Sequence, residues 1–226
     1  MQTENFLRSI PIDLLKRSWY HGVVGVIPEK KITLLKKLYY EKKFSARKIA
    51  ESFGVSLDAV YYFMRHHKLA RRSLSEENRL RFLRKQPSFT LARTLSKRER
   101  QLKLIGVMLY WCEGYKTDKS STVDFVNSDP SMVKIFMEFL RAVCGINENR
   151  LRAYLYYYSN QDVRELIKFW SAVTRIPPSQ FTRPYMRERL HAAPEHKMPH
   201  GLVHVRYGDK KLLLQIMEWI EEYKRA

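Results

Sequence analysis

The stretch LKLIGVMLYWCEGYK, residues 102–116, is an apolar run followed by a single acid, Glu113, set directly before Gly114. A carboxylate at the end of a helix is a hard oxygen ligand of the kind Mg²⁺ accepts. A divalent ion held there can stabilise the attacking and leaving oxygens of a phosphodiester. The bland alternative is a solvated acid ahead of a helix-stopping glycine. Either way the charge opposes the helix macrodipole by about 0.3–1 kcal/mol, which calls for a compensating contact. A second group of chemically able residues falls in HAAPEHKMPHGLVH: His191, Glu195, His196, His200 and His204. Their spacing matches no zinc motif, and two prolines make the stretch a loop. With Arg183, Arg187, Arg189, Lys197 and Arg206 around it, it reads as a phosphate-facing loop. The YLYYY run at 154–158 offers base stacking or, as is commoner in a strand, core aromatics on one face. The two cysteines, Cys112 and Cys144, cannot make a four-ligand zinc site by themselves, and in a cytoplasmic chain they are expected to be reduced. There is no Gly-rich phosphate loop and no identifiable Ser/His/Asp arrangement.

Phosphate is also what the charge points to. The chain carries 42 Lys+Arg against 23 Asp+Glu, a net charge of +19. Residues 1–103 hold 24 basic and 9 acidic side chains, whereas residues 104–226 hold 18 and 14. A positive field concentrated in one half favours a polyanion, since each neutralised phosphate releases counterions. At 226 residues and 45% hydrophobic the chain can bury one core or two modest ones. Its longest apolar run, Leu104 to Cys112, is far short of the ~20 residues that span a bilayer. No basic start followed by an apolar block opens the sequence, so neither a signal peptide nor a membrane partner is expected.

The elements that would position these groups begin with ITLLKKLYYEKKFSARKIAESFGVSLDAVYYFMRHHKLARR, residues 32–72. Ile32, Leu35 and Leu38/Tyr39 recur at helical spacing. Ser45 can cap a second helix carrying Ile49, Ala50 and Phe53. Gly54 supplies the turn, and Ser56 caps a third helix with Val60, Phe63 and Met64 inward. Small Ala50, Gly54 four residues on, and the apolar Val55, Val60 and Phe63 together resemble the helix-turn-helix of DNA-binding proteins. In that motif the last helix enters the major groove. The resemblance implies base-edge contacts from Ser56, Leu57, Asp58, Tyr61 and Tyr62. Phosphate contacts would come from Arg65, His66, Lys68, Arg71 and Arg72. Residues 1–72 are expected to form this domain, with WYHGVVGVIP packing on its first helix.

Residues 73–95 read as a basic connector. Ser75 to Gln86 can form a helix that Pro87 stops. Residues 65–103 hold 13 Lys/Arg and 3 Asp/Glu, which suits an arm following the DNA backbone through Arg81, Arg84 and Lys85. A solvated helix face is the plain alternative.

From residue 96 onward the pattern changes. Ser96 and Glu99 make a capping box for a helix running to about Cys112. A strand in STVDFVNSD, a helix from Pro130 to Gly145, a strand LRAYLYYY and a helix ending before Pro177 follow. Strands FTRPYMRE and GLVHVRY and a last helix KKLLLQIMEWIEEY complete the order α-β-α-β-α-β-β-α, an α+β domain with an antiparallel or mixed sheet. Here GVMLYWCEG, residues 106–114, resembles the motif of LAGLIDADG homing endonucleases. The resemblance implies that Glu113 is a catalytic and metal-binding acid, Gly114 the helix stop and Cys112 the small residue before the acid. It further implies a homodimer through the 97–112 helix, because one chain holds one copy of the motif. Met108 and Trp111 depart from the small or polar residues usual at the helix crossing. A helix-turn-helix joined to a degenerate domain of this kind also resembles WhiA-like regulators, which bind DNA without cutting it. The expected function is sequence-specific binding of double-stranded DNA as a non-cutting regulator, with no cofactor. The alternative is a Mg²⁺-dependent homing endonuclease, and a third reading is RNA binding.

Overall fold

The computed structural model describes residues 26–117, 119–188 and 198–225. Two compact units meet in sequence at Lys85/Gln86. In the first, a 3-10 turn at Glu29–Lys31 leads into α1 (Ile32–Lys36), which widens into a π turn over Lys37–Glu41. Helices α2 (Ala46–Phe53) and α3 (Leu57–His66) follow. Ser45 accepts from the Lys48 N–H at 3.2 Å and Ser56 from the Ala59 N–H at 3.1 Å, so both caps form as the sequence predicts. Gly54 ends α2 at φ 66°, a left-handed conformation glycine adopts without steric cost. Leu35, Ile49, Ala50, Val60, Phe63 and Met64 form the core, where Ala50 gives α3 room to cross α2. Ile27 joins that core, but residues 1–25, most of the WYHGVVGVIP stretch included, lie outside the described residues. Helix α4 (Leu74–Arg84) closes the unit. It begins one residue earlier than expected because Ser73 caps it, and ends before Pro87.

The second unit begins with an extended segment. Ser88 donates from its backbone N–H to Asp209 at 2.8 Å, and the Thr90 N–H donates to the Gly145 carbonyl at 3.0 Å. Helix α5 (Lys97–Glu113) follows, with the Ser96/Glu99 capping box in place. Then come β1 (Val123–Asn127), α6 (Pro130–Ala142), β2 (Leu151–Tyr158), α7 (Val163–Thr174), β3 (Tyr185–Arg187), β4 (Leu202–Tyr207) and α8 (Lys210–Tyr223). The strands form one sheet in the order β1-β4-β2-β3, antiparallel except for the parallel β2/β3 pair. The chain is therefore a mixed α+β protein.

The sheet's alternation decides what each face can do. Val123, Phe125, Leu151, Ala153, Leu155, Val203, Val205 and Tyr207 point to the helices and are fully buried. Asp124, Arg152, Tyr154, Tyr156, His204 and Arg206 point the other way. Of the aromatics expected to be core on one face of 154–158, Tyr157 packs against the core, whereas Tyr154 and Tyr156 fall on the opposite face because Leu151, Ala153 and Leu155 occupy the core register. Strand β3 is also shorter than FTRPYMRE. Phe181 makes only an isolated bridge to Ala153, and Pro184 has no N–H to continue the ladder.

Candidate nucleic-acid interface

The exposed side of α3 carries Asp58, Tyr62, Arg65 and His66. Tyr62 is 48% exposed and lies against the His66 ring, centroids 6.1 Å apart. Tyr61 is half-buried beneath the Arg71 guanidinium, 4.0 Å from its ring centre. Ser56 and Leu57 are more constrained than the sequence suggests. The Ser56 hydroxyl is held by the cap hydrogen bond it accepts, while Leu57 packs on the core. Lys68 is exposed at φ 52° just beyond the helix, beside exposed Arg71.

Arg72 requires a correction. Its side chain is 5% exposed and lies over the Tyr39 ring at 3.9 Å. Nη1 donates to the Tyr39 carbonyl at 3.2 Å, Nη2 donates to the Phe44 carbonyl, and Glu77 sits 3.1 Å from Nε. An arginine so enclosed holds the α1 end to the 69–72 segment and is withdrawn from any phosphate surface. Tyr39 accepts from the Arg72 N–H at 2.9 Å and Tyr40 donates to the Ala70 carbonyl at 2.7 Å, completing the seam.

Helix α4 presents Arg81, Arg84 and, just beyond its end, Lys85 at its surface. Glu76 and Glu77 occupy its first turn and Arg81 and Arg84 its last, the arrangement the macrodipole favours.

In the second unit, Glu113 is the exposed last residue of α5. The carbonyl end of the helix is met by Lys116, a residue the sequence did not single out. The Lys116 ammonium donates to the Trp111 carbonyl at 2.8 Å and the Gly114 carbonyl at 2.7 Å, meeting carbonyls that the helix end leaves unpaired. The i+5 spacing of a lysine after Trp111 was the available signal. Gly114 is needed for space and not for a special backbone angle. Its φ is −81°, but a Cβ there would sit 2.5 Å from the Tyr110 carbonyl oxygen. Tyr110 is buried, its hydroxyl donates to the Tyr115 carbonyl at 2.9 Å, and burial pushes its pKa up to about 12. Among the described residues, Glu113 shares no cluster of three potential metal ligands.

Between Leu104 and Cys112 the outward face of α5 is apolar. Leu104 is 45% exposed, Ile105 46% and Trp111 37%, with Cys112 exposed beside them. The helix's one glycine points the other way: a Cβ on Gly106 would fall 2.2 Å from Phe139 of α6. Close helix crossing is therefore spent inside the chain, and Met108 and Trp111 lie toward its outside.

On the sheet face away from the helices, Asp124 accepts from the Arg206 Nε at 2.8 Å and lies 3.0 Å from His204 Nδ1. The Arg206 side chain remains 42% exposed and lies over the Tyr154 ring at 5.2 Å. Tyr154, Tyr156, Tyr185 and His204 make edge-on or tilted ring contacts 5.1–5.6 Å apart. Arg183 and Arg187 are exposed at and just before β3. Arg189, His191, Glu195, His196 and Lys197 lie outside the described residues. His200 stacks on Phe169 at 3.7 Å. No family model, curated protein or solved structure matches the chain.

Proposed function

We propose that the chain is a sequence-specific double-stranded DNA-binding protein of the non-cutting, regulatory kind. The first unit acts as a helix-turn-helix domain, and the second is a LAGLIDADG-like domain that pairs two copies through α5. The observation that carries this reading is the α2–Gly54–α3 arrangement, whose free helix face bears Asp58, Tyr62, Arg65 and His66 in the strongly basic half of the chain. An α-helix fits the major groove, and polar groups on its early turns meet base edges there. Arg65, Lys68, Arg71, Arg81, Arg84 and Lys85 supply phosphate contacts that set register without reading sequence. Arg183, Arg187 and Arg206 extend that role to the sheet of the second unit.

The alternative, a Mg²⁺-dependent homing endonuclease, rests on Glu113 and on the apolar α5 surface that would bring two such acids together. What weighs against it is bulk at the crossing. Overpacking by residues such as Met108 and Trp111 costs about 1–3 kcal/mol unless the backbones separate, and separation parts the acids. The deciding experiment incubates a supercoiled library of host DNA with protein and Mg²⁺. No defined cuts are expected, and Glu113→Gln should bind duplex at least as well as wild type. Site-specific double-strand cuts that Glu113→Gln abolishes would establish the nuclease instead.

A further inference from the structure

Two histidines at the end of α3 have no hydrogen-bond partner among the described residues of the kind His204 has found. His204 is held by Asp124 and His200 stacks flat on Phe169. His66 and His67 stand edge to face with ring centroids 5.0 Å apart. Each is steadied by the aromatic one turn earlier, His66 by Tyr62 and His67 by Phe63 at 4.3 Å. Glu29, in the turn before α1, completes a group in which one ligand atom from each residue lies within 4.8 Å of the others. No hydrogen bond or ion pair engages these three side chains among the described residues.

We infer that Glu29, His66 and His67 bind a transition-metal ion of the Zn²⁺ class. Two imidazole nitrogens of borderline softness beside one harder carboxylate oxygen make a donor set that suits Zn²⁺ and does not suit Mg²⁺ or Ca²⁺, which take all-oxygen sites. Ligand bonds of ~2.0–2.2 Å place tetrahedral neighbours roughly 3.4 Å apart. The groups therefore need to close by a little over one ångström at most, which the three torsions of Glu29 and small ring rotations provide. The fourth position stays open to water. A cation here is also favoured by position, since both histidines sit where the α3 carbonyls leave partial negative charge. The ion would tie the turn ahead of α1 to the last turn of α3. That cross-link spans most of the first unit and steadies the helix that faces outward. The inference concerns metal binding by the first unit and does not depend on DNA recognition.

The test uses the full chain stripped of metal with chelator and then dialysed. ZnCl₂ is titrated by calorimetry and by thermal unfolding, with CoCl₂ as a coloured reporter of the ligand field. Wild type should bind Zn²⁺ and unfold at higher temperature with it, while MgCl₂ has no such effect. His67→Gln and Glu29→Gln should each weaken Zn²⁺ binding about tenfold or more and bleach the Co²⁺ spectrum. The double variant His191→Gln/His196→Gln should bind as wild type does. If His67→Gln folds poorly, Glu29→Gln, a change at an exposed position, decides alone. Zn²⁺ binding that is absent from wild type, unchanged by Glu29→Gln, or lost only with His191 and His196 would overturn the assignment.

Discussion

Arg71 and Arg72 show how far one position matters. They are identical in sequence terms, yet Arg71 lies on the surface over Tyr61 while Arg72 is enclosed among Tyr39, Phe44 and Glu77. Arg72→Ala removes the donor that satisfies two backbone carbonyls, and each buried acceptor left unpaired costs about 1–3 kcal/mol. Urea unfolding of the first unit's transition should move by that order. Arg71→Ala should leave stability within about 0.5 kcal/mol, as surface substitutions do, and weaken DNA binding instead. Asp209 offers a second residue-scale prediction. Burial raises its pKa, but hydrogen bonds from the Ser88 hydroxyl and N–H and from the Lys211 and Leu212 N–H groups outweigh that, and the net shift is downward. A carboxyl whose folded pKa lies below its unfolded value of ~3.9 stabilises fully above that value. The contribution is lost as the pH falls through the depressed folded pKa. Asn offers one acceptor atom where the carboxylate offers two, so it cannot serve both Ser88 and the α8 N-terminus. Asp209→Asn should cost about 1.5–3 kcal/mol at pH 7, the worth of hydrogen bonds to a charged group. The gap between variant and wild type should close as unfolding is repeated at falling pH below 4. A gap independent of pH would show that the charge is not responsible.

Much of the element pattern was legible. Ser45, Ser56 and the Ser96/Glu99 pair declare three helix starts through local chemistry, and Pro130 sits at the first position of α6 as a rigid N1 residue should. The order of strands and helices after residue 96 follows from periodicity. What sequence could not show depends on distant partners. Arg72 is buried by Tyr39, 33 positions away, and Asp124 is neutralised by Arg206, 82 positions away. The outward register of Tyr154 and Tyr156 depends on which alternate residues of β2 the helices cover. Lys116 had only its i+5 spacing after Trp111 as a signal, and its role became plain once the carbonyls of α5 had places in space. Glu113 was legible as a helix-terminal acid, but not its place outside any cluster of three potential ligands among the described residues. At this scale α4 makes a clear prediction. If it tracks the DNA backbone, replacing Arg81, Arg84 and Lys85 with Gln should weaken specific and nonspecific binding alike. The slope of log affinity against log salt should become shallower by about 0.9 per lost phosphate contact. Binding measured across a salt series checks this, and a loss confined to the specific site would contradict it.

For the molecule as a whole, the proposal assigns reading to the first unit and pairing to the second. Two copies joined through α5 would offer two α3 helices, so the preferred site should contain two related half-sites. The most direct measurement is selection of bound duplexes from a random-sequence library, run on wild type and on Tyr62→Ala. The account predicts that wild type enriches a defined motif of paired half-sites. Tyr62→Ala should bind with discrimination reduced by about 1–3 kcal/mol at one base position of each half-site. Enrichment of no motif by wild type, or the same motif with the same stringency from residues 86–226 alone, would contradict it.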